Sequence, residues 1–168
     1  MKVLVLSDIH GDRKRFKDIL KQHEDAEQVL SLGDTGLKRK LLQKHDVIAI
    51  KGNTPFDAGF TYEHVMILRE RRILLTHGHK YKVKSTHQKL YQRMLDEDCH
   101  IAMYGHTHAV AFQEIAGRYI LNPGSAGDAR GENASESYAV LTFEKGEVTA
   151  QWYDADSHVA FRKEIMKV

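Results

Sequence analysis

Apolar and polar positions fall into two regimes along this chain. In the first half, short apolar runs alternate with amphipathic stretches. Lys2–Leu6 carries Val3-Leu4-Val5-Leu6, which reads as a buried strand. Residues 12–23 place Phe16, Ile19 and Leu20 at helical spacing, which predicts an amphipathic helix. Residues 28–32 predict a second strand, 38–44 a short helix and 47–51 a third strand. Strands separated by helices imply parallel βαβ units. In such sheets ligands gather at the carboxyl ends of the strands.

The second half turns to β structure. Residues 61–68 and 72–76 read as strands joined by the charged turn Arg69-Glu70-Arg71. Residues 85–97 read as a helix with Leu90, Met94 and Leu95 on one face. Residues 101–104, 110–115, 119–122, 138–144 and 148–154 read as strands, with Gly117 and Gly146 marking hairpin turns. Residues 159–166 fit a strand or a frayed helix. The tight turns predict a second sheet packed on the first. With no internal repeat, low-complexity tract or linker, one domain over residues 1–168 is expected.

The apolar runs end in a recurring way, at Asp, Asn or His beside glycine. Asp8-Ile9-His10 follows the first run after Ser7. The others are Gly33-Asp34, Gly52-Asn53, His77-Gly78-His79 and Gly105-His106-Thr107-His108. Residues two apart at a strand tip point to the same side, so Asp8 and His10 can act as a pincer.

Bulk properties narrow the class. A chain of 168 residues can bury a sizeable core, and 42% hydrophobic with 29% charged residues is ordinary for a globular protein. A formal charge of +2 does not by itself point to nucleic acid. Lys80, Lys82, Lys84 and Lys89 around Tyr81 and His87 read as a solvated helix and its approach loop, or as a rim that attracts an anionic substrate. The single cysteine, Cys99, excludes an intrachain disulfide framework. The first apolar run is too short for a secretory signal, and no run approaches the ~18 apolar residues of a membrane span. A soluble cytoplasmic protein is expected. Of eleven histidines, His23, His45 and His158 sit in polar sequence surroundings and are given no role.

Asp8, His10, Asp34, Asn53, His77, His106 and His108 offer oxygen and nitrogen ligands and no thiolate. That excludes a structural zinc site of the four-cysteine type. The mixture suits Mn²⁺, Fe²⁺, Zn²⁺ or Ni²⁺. Seven ligands are too many for one ion that keeps room for substrate. They suit two ions sharing a carboxylate, and a pair ~3.5–4 Å apart can activate water and clamp the oxygens of a phosphoryl displacement.

In their order and spacing, Asp8-x-His10, Gly33-Asp34, Gly52-Asn53, His77 and Gly105-His106-x-His108 resemble the motifs of the calcineurin-like metallophosphoesterases. The match looks nearest to the small, single-domain bacterial and archaeal phosphodiesterases of that superfamily, and it spans residues 1 to about 127. The resemblance implies an α/β fold, a four-layer α/β/β/α sandwich of two mixed sheets, with the strands after residue 127 fitting the second sheet. It implies that Asp8, His10 and His108 hold one metal, that Asn53, His77 and His106 hold the other, and that Asp34 bridges them. A hydroxide between the ions would attack phosphorus. Two divalent ions, Mn²⁺ first, are the expected cofactors. The expected substrate is a small phosphoester, with nucleic acid entering only as a substrate; a homo-oligomer is compatible with the sequence, and a membrane partner is not expected.

One departure bears on the chemistry. Many members of the superfamily follow Gly-Asn with a histidine that protonates the leaving oxygen, whereas this chain has Thr54, and the next acid, Asp57, comes late. His79, two residues from His77, is the candidate acid in its place, alongside Asp34 and Asn53 in the catalytic set. Residues 122–127 form a tight turn by composition, and Asn122, Gly124 and Ser125 are expected to line the substrate cleft with Asn53. Arg13 and Arg130 read as surface residues, with contact to a substrate phosphate as the alternative. The competing function is an interaction scaffold on the same fold, and the completeness of the ligand set favours the enzyme. A closed structural metal site fits poorly, because the ligands come from five separate loops.

Overall fold

The computed structural model describes residues 1–57, 59–130 and 134–168. In chain order they form β1 (Lys2–Leu6), α1 (Arg13–Gln22), β2 (Gln28–Ser31), α2 (Arg39–Lys44), β3 (Val47–Ala49), β4 (Glu63–Leu68), β5 (Arg71–Thr76), α3 (Gln88–Asp96), β6 (Ile101–Met103), β7 (Val110–Ile115), β8 (Arg118–Pro123), β9 (Ser137–Glu144), β10 (Glu147–Asp154) and β11 (Ala160–Lys167). One sheet runs β11-β10-β9-β1-β2-β3 and the other β4-β5-β6-β8-β7. Both are mixed. β1, β2 and β3 are parallel, as the βαβ pattern requires, and β5, β6 and β8 are parallel in the second sheet.

Strand alternation sorts the apolar residues into three cores. Val3 and Val5 pack between the sheets with Leu30, Ile73, Ile101 and Met103. Leu4 and Leu6, pointing the other way, meet Phe16, Ile19 and Leu42 of the first two helices. On the far side Leu74 and Ala102 meet Leu90 and Met94 of α3. The layers are therefore helix, sheet, sheet, helix. Each fully buried side chain of this kind contributes roughly 1.5–3 kcal/mol. Asp12 caps α1, its Oδ1 accepting from the Arg15 amide at 2.9 Å.

The final strands differ from the expectation. β9, β10 and β11 do not join the second sheet; they extend the first. β9 lies antiparallel beside β1, from Lys2 opposite Thr142 to Val5 opposite Ala139. The last segment is a strand, antiparallel to β10. The turn between β4 and β5 is Arg69-Glu70, both at positive φ, with Arg71 already in the strand. Among the described residues no helix is long and apolar enough to cross a membrane.

His23 is also placed differently from its polar sequence context. The end of α1 turns it inward, leaving it 8% exposed, with Nε2 2.9 Å from the Tyr138 hydroxyl and its ring edge-on to Tyr138 and Tyr153. Burial, and after it the charge of Lys2, pushes its pKa down to about 4. The folded state thus favours neutral imidazole, while the unfolded chain titrates near 6.5. This contribution to stability is complete above pH 6.5 and is lost as pH falls through about 4. Thermal unfolding followed from pH 7 to pH 4 should therefore show a steeper fall in Tm for the native chain than for His23→Gln; parallel curves would contradict it.

Candidate metal centre

The loops after β1, β2, β3, β5 and β6 meet at one rim of the two sheets. Backbone hydrogen bonds lock the first two together: Asp8 N to Gly33 O and His10 N to Asp34 O, each 3.1 Å, and Gly11 N to Thr35 O, 2.9 Å. Five of the seven expected ligands have left-handed backbone: Asp8 (φ +50°), His10 (+49°), Asp34 (+49°), His106 (+67°) and His108 (+60°). Each such non-glycine residue costs about 1–3 kcal/mol and persists only where its surroundings enforce it. Two glycines of the motifs are explained by close approach. A Cβ at Gly52 would run into the Asp34 carboxylate, and one at Gly105 into Ser7 Oγ and Asp8 Oδ2.

The side chains form one connected cluster. Asp8, His10 and His108 converge on one point, and Asp8, Asp34 and His77 on a second. His108 Nε2 lies 3.0 Å from Asp8 Oδ1 and 3.3 Å from His10 Nε2. His77 Nε2 lies 3.4 Å from Asp34 Oδ2, 3.9 Å from Asp8 Oδ1 and 3.0 Å from Asn53 Oδ1. The His106 ring stands 5.1 Å from that of His77. Asp8 is common to both triads, a place the resemblance gives to Asp34. Asn53 is exposed at the mouth.

This donor set fits a cation. Asp8 is fully buried, and among the described residues no donor is aligned on its Oδ1. A buried carboxylate oxygen without a partner is costly. Its neighbours are imidazole nitrogens, which serve equally as metal ligands. Their outer nitrogens are already fixed: His77 Nδ1 bonds Leu32 O at 2.7 Å, and His108 Nδ1 bonds Asp128 O. Each bond turns Nε2 into the site, as the outer partners of ligating histidines do.

Electrostatics support the same reading. Burial opposes charge on Asp34, but hydrogen bonds from His77 and the Thr54 amide, the latter 3.0 Å, outweigh it and hold the carboxyl well below the usual range. Burial likewise opposes charge on His77 and His108, yet the neighbouring carboxylates Asp34 and Asp8 raise both above the ordinary imidazole value. Positive charge is thus favoured between these groups. Burial, then His77, pushes His106 down to about 4, which leaves its lone pair free at neutral pH.

The remaining expected residues divide. His79 sits beside the cluster, its ring 5.5 Å from His77 and 6.0 Å from His106, and burial lowers its pKa. Asn122, Gly124 and Ser125, expected on the cleft wall, are buried instead. Asn122 Nδ2 donates to Gly105 O (2.9 Å) and Thr107 Oγ1 (3.0 Å), Gly124 N donates to Asn122 Oδ1 (2.8 Å), and Ser125 Oγ donates to Asp8 O (2.7 Å). Their side-chain polar groups brace the loops that carry the candidate ligands.

Two further supports escape the sequence reading. Ser7 Oγ donates to Asp8 Oδ2 at 2.5 Å. Asp57, brought back by the short helical turn Pro55–Asp57, accepts from Gly52 N and Thr35 Oγ1, both 3.0 Å, and so ties the Asp34 loop to the Asn53 loop. A proline followed two residues later by an acid was the available signal.

Relatives share this architecture. The chain is 32% identical over 155 residues to the probable metallophosphoesterase YsnB of Bacillus subtilis (strain 168), covering 92% of this chain and 91% of that protein. It is 26% identical to the phosphodiesterase YfcE of Escherichia coli (strain K12), covering 84% and 87%. Among solved structures, a predicted phosphoesterase from Streptococcus pneumoniae TIGR4 superposes with a TM-score of 0.89 at 25% identity, covering 99% and 97%. Vps29 of Entamoeba histolytica complexed with zinc superposes with a TM-score of 0.78 at 26% identity, covering 98% of each chain. All the ligand-bearing loops lie within residues 1–146, the stretch matched by the sequence model of the calcineurin-like phosphoesterase superfamily domain, and the chain belongs to that superfamily.

Proposed function

We propose that this protein is a cytoplasmic, metal-dependent phosphodiesterase that binds two divalent ions, manganese first, and hydrolyses small phosphodiesters by in-line displacement at phosphorus. The observation that carries the reading is the buried Asp8 Oδ1 at the junction of two ligand triads, faced among the described residues only by imidazole nitrogens. Divalent ions held there supply Lewis acidity toward phosphoryl oxygens and a nucleophile at neutral pH. In this reading Asp8, His10 and His108 hold one ion, Asn53, His77 and His106 the other, and Asp34 serves both. The Thr54 amide orients the Asp34 carboxylate, and Leu32 O and Asp128 O orient two of the imidazoles. The name of YfcE supports the diester over the monoester.

The leaving group is less well served. Thr54 Oγ1 is buried beside Asp34, and a hydroxyl is a poor acid at neutral pH. His79 is held neutral by its burial and by His77, so it lacks a proton to give at pH 7. The chain's residues therefore favour leaving groups that depart without protonation.

Metal binding is measurable without turnover. Mn²⁺ at about 100 times its Kd stabilises the fold by about 2.7 kcal/mol, which raises Tm by about 5–10 °C for a chain of this size. His77 and His108 hold their protons more tightly than ordinary imidazoles, and the ion must displace them. The rise in Tm should shrink from pH 8 to pH 6 and be absent in Asp8→Asn; an equal shift in that variant contradicts the site.

With Mn²⁺, bis(p-nitrophenyl) phosphate should be hydrolysed, and Asp34→Ala and His108→Ala should each lose about 100-fold or more in kcat/KM. Across a series of aryl methyl phosphates, kcat/KM should fall steeply as leaving-group pKa rises. Metal-independent turnover or full activity in Asp34→Ala overturns the mechanism. A flat leaving-group series overturns the missing acid. No turnover with any of Mn²⁺, Fe²⁺, Zn²⁺ or Ni²⁺ moves the assignment to a scaffold.

A further inference from the structure

Between α1 and α2, on the outer face of the first sheet, lies a cleft of about 390 Å³ that no step above uses. That volume is in the range of small-molecule sites. It begins at Gly11, directly after His10, and at Gly36, two residues after Asp34. The hydrogen bond from Gly11 N to Thr35 O joins those two loops into one wall, so the cleft opens beside the metal-binding rim.

Its lining is one-sided. Arg13, Lys38, Lys40 and Lys44 face it, with Leu37 and Leu41 between them and, among the described residues, no carboxylate. Of the acids close in sequence, Asp12 lies 3.9 Å from Arg15, Asp34 belongs to the ligand cluster, and Asp46, two residues past Lys44, does not line the cleft. The whole chain carries a net charge of only +2, so four cations gathered in one concavity are a local excess. A neighbouring cleft of about 480 Å³ shares Lys44 and adds Lys17 and Lys21 with one acid, Glu24. Guanidinium and ammonium groups converging on a concave, partly apolar surface suit a phosphate held by charge-assisted hydrogen bonds.

We propose that this cleft binds a second, unreacting phosphate of the substrate, so that the preferred substrates are phosphodiesters bearing a further phosphate on the side that lies against His10. The proposal rests on the phosphodiesterase reading of the metal centre. It narrows that reading from small diesters in general to phosphorylated ones, such as a nucleotide diester with a 3′-phosphate.

The matched probes are thymidine 5′-(p-nitrophenyl phosphate) and the same compound carrying a 3′-phosphate, assayed with Mn²⁺ at low salt. The 3′-phosphate should lower KM by about tenfold or more, with kcat nearly unchanged. Lys40 and Lys44 are exposed helix residues, so the double variant Lys40→Gln/Lys44→Gln folds without them. It should abolish the difference while leaving bis(p-nitrophenyl) phosphate turnover intact. Equal KM values in the native protein, or a difference that survives the double variant, overturn the proposal. A second arm works without catalysis: titration calorimetry of adenosine 3′,5′-bisphosphate into metal-free protein. Binding that weakens about tenfold or more in the double variant supports the cleft. No binding, equal binding by both proteins, or equal competition by inorganic phosphate overturns it. Because this arm needs no turnover, an inactive metal centre and an empty cleft give different results.

Discussion

Everything at the functional rim depends on one buried carboxylate. Asp8 is sealed from water at the tip of β1, its Oδ2 held by Ser7 Oγ and the His106 amide while its Oδ1 faces only imidazoles. In a low-dielectric site such a group needs positive charge. The carboxylates raise His77 and His108 above the ordinary imidazole value, and a divalent ion would answer the same need more strongly. The left-handed backbone at Asp8, His10, Asp34, His106 and His108 belongs to the same constraint, since side chains from separate loops reach one point only if the chain turns sharply at each strand end.

The two-sheet core makes that convergence rigid. Val3, Val5, Ile73, Ile101 and Met103 fix the strands that end at the rim, and the loops are then stitched to one another. Asp57 joins the second and third ligand loops, Asn122 secures the Gly105–His108 turn, and Ser125 pins the Asp8 carbonyl. None of these supports need touch substrate to matter. Loops tied to one another in this way hold the candidate ligands in fixed positions, as a metal site requires of its supporting residues.

The strands and helices were legible in the apolar periodicity, and the seven ligand candidates stood out because five apolar runs end in a ligand-competent residue beside glycine, a local pattern. The membership of β9, β10 and β11 was not. Their alternation would suit either sheet, and the deciding contact pairs Lys2 with Thr142, far apart in sequence. Turn composition around Asn122 correctly signalled a tight turn but not its direction, and the amide points inward to Gly105 rather than outward to a ligand. His23 looked polar in sequence and is buried because the end of α1 tucks it under Tyr138 and Tyr153. The cationic cleft was invisible for a related reason: Arg13 and Lys40 lie on separate helical segments and share a surface only after both pack on the sheet.

The most direct test of the two-metal site is a crystal grown with Mn²⁺ and measured on both sides of the manganese absorption edge. Two anomalous peaks should stand about 3.5–4 Å apart, one against Asp8, His10 and His108 and the other against Asn53, His77 and His106. A single peak, or peaks away from Asp8 and Asp34, would contradict it.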